Sequence, residues 1–169
     1  MRAKRVVAVA VLLVIAFLIV FPPLANGSVK IALSSSSSVP VEHLYVTIRG
    51  IKAHRADTHE PAGWFSVANT STQVDLVLVN SSKAVALGFL SLGQYDTISL
   101  EVTDATAVVN GISKPVQLTS RVFPVPVSFL VRFGAQTAIL LKVVPELQVT
   151  PDIMNLKLSF TAVPVEAVS

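Results

Sequence analysis

The sequence predicts an antiparallel β-sandwich behind an N-terminal membrane-targeting segment. Three observations carry that reading. Apolar and polar residues alternate with a period of two through most of the chain after Ser28. Turn residues recur about every eight to twelve positions. No long amphipathic helical pattern follows the leader, and a purely parallel sheet would need helical crossovers that the chain does not supply.

Length and charge set the bounds. The chain has 169 residues, enough for a targeting segment at 1–27 and one domain at 28–169. Arg2, Lys4 and Arg5 are three of its thirteen basic residues, so the remainder carries ten basic against ten acidic side chains. The alkaline balance therefore belongs to the leader and gives no support for a nucleic-acid surface. There is no cysteine, which removes a disulfide framework and a thiolate metal site.

The leader is the clearest signal of location. After the basic head, Val6 to Phe21 holds no charged or polar side chain, the layout of an export signal. Ala25-Asn26-Gly27 offers the small residues of a cleavage site. Counted to Ala25, the apolar run also approaches the roughly 20 residues that span a bilayer. Cleavage and retention as an anchor are both open readings. Either way the basic head stays inside and the domain is exported, as a membrane-anchored or secreted extracytoplasmic protein.

Along the domain, Val29, Ile31 and Leu33 alternate with polar or small residues and form the first strand, ended by the run Ser34–Ser38. That run reads as a plain connection, with a sugar-bearing stalk as its alternative. Leu44, Val46 and Ile48 share one strand face, yet Ile51 and Ala53 continue at the opposite parity, with Gly50 at the switch. A one-residue β-bulge there keeps all five on one core. Trp64 and Phe65 begin the return strand. Val74, Leu76 and Leu78 lie on one face of a strand over 73–79, while 84–90 is apolar without clear alternation and fits a short helix or a strand. Ile98, Leu100 and Val102 alternate next, preceded by Gly93-Gln94-Tyr95, which has the layout of a tyrosine corner or of a tyrosine packed on a turn.

The second half is more regular. Asn110-Gly111 between 105–109 and 112–116 is a type I′ hairpin signal. Phe123, Val125, Val127, Phe129, Val131 and Phe133 alternate strictly and predict a core strand. Pro124 and Pro126 share its other face, so its start belongs at a sheet edge or in a bulge. Ile139, Leu141 and Val143 answer on the next strand, 145–152 reads as a loop, and Leu156, Leu158, Phe160 and Ala162 close the fold. The total is about eight or nine strands.

Chemistry-bearing residues gather in one place, the polar turn 54–63. His54, Asp57, His59 and Glu60 are each capable of binding a metal, and two imidazoles with two carboxylates suit zinc. The spacing is not that of a helical His-Glu-x-x-His site, and Pro61 argues against a helix through it. A solvated hairpin loop is the plainer reading. Of the three histidines, His43, His54 and His59, none sits in a nucleophile-elbow context. The expectation is accordingly no enzyme and no cofactor. Asn69-Thr70-Ser71 and Asn80-Ser81-Ser82 are glycosylation sequons, and Asn26-Gly27-Ser28 is a third beside the leader.

Taken together, the segments 27–33 and 41–55, then Trp64, Val74-Asp75-Leu76, Leu92-Gly93-Gln94-Tyr95 and 98–102, resemble the domain of unknown function 4382 over roughly Ser28 to Val144. That resemblance implies an exported prokaryotic, including archaeal, domain with an Ig-like or prealbumin-like sandwich. It implies no reaction. The chain has Ser34–Ser38 and Val39-Pro40 where many members carry Asp-Ala-Pro, so no ion-binding role of that aspartate transfers.

The functional expectation is a cell-surface module that binds a protein or glycan through its loops and contacts the membrane through its leader. One alternative is a filament or lattice subunit that donates strand 28–33 to a neighbour. A second is a metal-dependent hydrolase using the turn from His54 to Glu60.

Overall fold

The computed structural model describes residues 26–79, 82–150 and 153–165; of the targeting segment expected at 1–27, residues 1–25 lie outside them and Asn26 and Gly27 belong to the first strand. Among the described residues the protein is all β, with no helix long and apolar enough to cross a membrane. Two sheets enclose one hydrophobic core.

The first sheet runs in the order β5 (Lys83–Ser91), β1 (Asn26–Ser35), β10 (Gln136–Val149), β11 (Met154–Val165), β8 (Gln117–Leu118). In the second, β2 (His43–Arg55) and β6 (Gly93–Val109) form the centre. Two short strands, β3 (Trp64–Ala68) and β4 (Thr72–Asp75), pair with β2, while β7 (Ile112–Pro115) and β9 (Val122–Val131) pair with β6. Among the described residues eleven strands thus replace the eight or nine expected. Short pieces such as β4 and β8 carry too few residues to show a periodicity.

Nor is the fold wholly antiparallel. β1 runs parallel to β10, from Ser28 opposite Gln136 to Ser35 opposite Val143. The second sheet intervenes in sequence between these partners, so it supplies the long crossover that a helix would otherwise provide. β1 is consequently an interior strand, antiparallel to β5 on its other side. Val29, Ile31 and Leu33 are fully buried there.

The bulge expected at Gly50 is present. Ile48 faces Val102 and Gly50 faces Glu101, leaving Arg49 without a partner on β6. Thr103 is the matching extra residue on β6. Leu44, Val46, Ile48, Ile51 and Ala53 all enter the core as a result. A parity change in one strand is answered by a parity change in its neighbour, so both stay in register with one interior.

Tyr95 takes the corner position. It is fully buried, its hydroxyl donates to the Ser91 carbonyl at 3.0 Å, and its ring stacks on Phe129 at 5.2 Å. At the other end of β6, Asn110 (φ 52°) and Gly111 (φ 71°) make the type I′ turn. β9 is an edge strand, which leaves room for Pro124 and Pro126 on its outward face.

Of the two readings open for 84–90, the strand is the one formed, within β5. Several other expectations are corrected. The serine run does not end β1 at Leu33, since Ser34 and Ser35 continue its pairing with Lys142 and Val143. The strand expected over 73–79 stops at Asp75, whose carboxylate accepts the Val77 amide in an Asx-turn, and Leu78 is exposed. Pro145 is inside β10, opposite Leu158. β1 has ended by then, so the proline occupies a strand with only one neighbour. Phe133 lies past the end of β9, 60 % exposed in a turn with Gly134 at φ 69°.

These pairings give the domain two ends. The chain enters at Asn26, opposite Ser91, and the turns 56–63, 91–93 and 132–135 cluster at that entry end. The connections 36–42, 76–79 and 110–111, with Thr150, lie at the far end.

Candidate functional site

The polar turn is built on the end of β2. His54 pairs with Trp64 of β3, and the Arg55 amide donates to the Gly63 carbonyl at 3.0 Å, closing the loop between them. Inside it, the Thr58 hydroxyl donates to the Arg55 carbonyl at 2.7 Å and the Ala62 amide to the His59 carbonyl at 3.0 Å. The Glu60–Pro61 bond is cis, and Gly63 has φ 84°. A side chain on Gly63 would overlap Thr58 and come within 3.2 Å of His54 Nε2, so the loop closes directly onto the imidazole.

His54 is the buried polar residue of this end, 6 % exposed. It follows Ala53, which already faces the core, so its burial comes from the turn and the Trp64 ring at 5.1 Å rather than from the sheet interface. Nδ1 lies 2.9 Å from Asp96 Oδ1. Asp96 is free to reach it because it sits in a double irregularity. On β2, His54 faces Thr97 and Arg55 faces Tyr95; on β9, Tyr95 faces Phe129 and Thr97 faces Pro126. The aspartate has no cross-strand partner on either side.

The hydrogen bond to Asp96 raises the His54 pKa above its ordinary value against the opposing effect of burial, with the charges of Asp96 and Glu60 adding to the rise. Nε2 is buried without a hydrogen-bond partner. The Ala62 carbonyl, close by, also favours the protonated ring, although it is not placed as a formed hydrogen bond. An imidazole closed off in this way can tie strands together.

The other residues of the turn are not brought to one point. Asp57 pairs with Arg55 Nε at 2.7 Å, Glu60 accepts the Trp64 indole N–H at 3.0 Å, and His59 is exposed. Among the described residues, no three His, Cys, Asp or Glu side chains group closely enough to hold a metal ion. The turn is the exposed hairpin loop expected of it, joining antiparallel β2 and β3, with His54 closed in beneath it.

A second histidine–carboxylate pair, which sequence reasoning did not find, sits at the start of β2. His43 Nδ1 lies 2.6 Å from Asp75 Oδ2, while Asp75 Oδ1 accepts the amides of Leu44 at 3.2 Å and Val77 at 3.0 Å. Partial burial pushes the Asp75 pKa upward, but the His43 hydrogen bond and the two amides outweigh it and hold it below the ordinary carboxylate value. β2 is thus fastened at both ends, to β4 through His43 and to β6 through His54. For Asp96 a signal existed. Tyr95 and Ile98 are both interior but three positions apart, the same parity break that marks Gly50.

Concave surface is found at both ends, and at the entry end a cleft of about 560 Å³ lies beside Arg132, Gln136 and Pro164; the other is at the far end. A cleft of about 570 Å³ lies between β7 and the β10–β11 connection, with Lys114, Gln117 and Thr150 beside Val149, Ile153 and Met154. It mixes polar and apolar contacts, as an open recognition surface does. Asn69 is exposed just after β3 and accepts a hydrogen bond from Ser66 at 2.6 Å. Asn80 lies outside the described residues.

With the fold and both ends in view, the comparison with known families is decisive on one point. The model of the family described as "Domain of unknown function (DUF4382)" matches residues 26–163. The chain belongs to this family. The match extends past Val144, so β10 and β11 are part of the DUF4382 domain. No curated protein and no solved structure matches the chain.

Proposed function

We propose that this DUF4382 protein is an exported, membrane-anchored cell-surface domain that binds a protein or glycan through its far end and performs no catalysis. The observation that carries the reading is the uncharged run Val6–Phe21 behind Arg2, Lys4 and Arg5, which stops five residues before the first strand. An apolar run behind a basic head directs export, and counted on to Ala25 this one approaches the roughly 20 residues that hold a chain in a bilayer. The arrangement of the domain supports the recognition role. Its entry end is next to the leader, while the cleft beside Lys114 and Ile153 opens at the opposite end.

Within the polar turn, His54 is enclosed and Asp57 and Glu60 are each engaged by a neighbour rather than gathered at one point, which supports a binding role over chemistry there. Strand exchange between copies is the alternative assembly. It would have to displace β1 from between β5 and β10, where the chain's own strand already buries Val29, Ile31 and Leu33. Membrane fractionation followed by intact mass of the native protein tests the proposal. A full-length mass in the membrane fraction supports anchoring, and a mass lacking the leader in the soluble fraction refutes it.

A further inference from the structure

We infer that the entry end of the folded domain is itself a bilayer-docking surface, so that the domain sits on the membrane rather than standing clear of it. The inference rests on the anchored reading above. Of the aromatic rings unburied at this end, Phe65 is 37 % exposed and set edge-on to Tyr95, and two others are more open. Phe89, 70 % exposed, lies opposite Ser28 on the outward face of β5, and Phe133, 60 % exposed, projects from the turn beyond β9. Leu87, 64 % exposed, continues the same outward face opposite Lys30.

The turn carrying Phe133 is held tightly against the chain entry. A Cβ on Gly27 would collide with the Arg132 carbonyl and the Val131 side chain, so the backbones meet there with no room for a side chain. Phe133 is therefore fixed beside the point where the chain enters. Large apolar side chains at a turn tip and on an unpartnered sheet face are costly in water unless something covers them.

Position and charge select a lipid surface as that cover. Phe21 closes the uncharged run five positions before Asn26, a link of at most about 18 Å when extended. An anchored leader thus confines this end near the bilayer. The segments 26–30, 87–93, 130–138 and 163–165 that surround the two rings carry Lys30 and Arg132 and no acid; the turn 56–63 of the same end carries Asp57 and Glu60, with Asp57 paired to Arg55. Glu166 follows the last of these segments and lies outside the described residues. Exposed apolar rings flanked by cations match an interface of acyl chains under anionic headgroups.

The chain has no cysteine, so single-cysteine variants give unambiguous probes. The full chain carrying Phe89→Cys, Phe133→Cys or, at the far end, Ile112→Cys is labelled with an environment-sensitive fluorophore. Each is then reconstituted in vesicles of mixed zwitterionic and anionic phospholipid. Labels at 89 and 133 should shift to the blue and be quenched severalfold less by iodide than the label at 112. If the chain floats with the vesicles but all three labels quench alike, docking is refuted and anchoring stands. If the chain does not float, anchoring fails and docking fails with it. Protection that rises with the protein-to-lipid ratio would identify a second copy as the cover and overturn the inference.

Discussion

His54 and Asp96 meet across a place where the strand ladder is broken. The aspartate lacks a partner on both neighbouring strands, and this is why its carboxylate reaches the imidazole at 2.9 Å. An irregularity in β6 has become the fastening of the polar turn.

The first prediction follows from protonation. The folded pKa of His54 is raised, chiefly by the hydrogen bond to Asp96, so the folded state binds the proton more tightly than the unfolded chain. The stabilisation is complete below the unfolded histidine value of about 6.5 and is lost as pH rises through the folded value. Thermal melts from pH 5.5 to 9 should show the melting temperature falling across that window. Asp96→Asn should flatten the fall.

Asp75 acts in the opposite sense and at lower pH. Its folded pKa is depressed, since the His43 hydrogen bond and two amides outweigh burial. Its contribution is present above the unfolded aspartate value of about 3.9 and lost as pH falls through the folded one. Acid unfolding monitored by circular dichroism should begin at higher pH in Asp75→Asn than in the wild type.

Closure of the turn depends on Gly63. With φ 84° and no room for a side chain beside Thr58 and His54, Gly63→Ala should destabilise the domain by about 1–3 kcal/mol. Trp64 fluorescence should report the disturbance, because the indole is hydrogen-bonded to Glu60. An unchanged denaturation midpoint would mean that the loop does not close as described.

The corner and the strand end give a contrasting set. Tyr95→Phe removes the hydroxyl that donates to Ser91 and should cost about 1 kcal/mol. Phe129→Ala empties a core position stacked on Tyr95 and should cost about 3–5 kcal/mol. Phe133→Ala, four residues on and exposed, should stay within about 0.5 kcal/mol. Urea denaturation of the three variants separates them.

Sequence pattern made the interior strands and turns legible. Gly50, Tyr95 and Asn110-Gly111 could be read because a parity switch, a corner motif and a left-handed turn each have a local cause in residue type. Phe133 and Leu78 misled because alternation continues past the point where pairing stops, and pairing is a property of two strands. The parallel β1–β10 pair was invisible for the same reason, joining segments from opposite ends of the chain. At the polar turn, residue types suggested ligands, but their partners Asp96, Arg55 and Trp64 are fixed by the fold and separate them.

The central claim is that the domain is displayed outside the cell on a retained anchor, and surface labelling of intact cells tests it most directly. With no native cysteine, the full chain carrying Ile112→Cys is exposed to a membrane-impermeant maleimide before lysis, and the membranes are then pelleted. The account predicts a labelled protein in the membrane pellet. Labelling only after lysis, or a labelled protein confined to the soluble fraction, would contradict it.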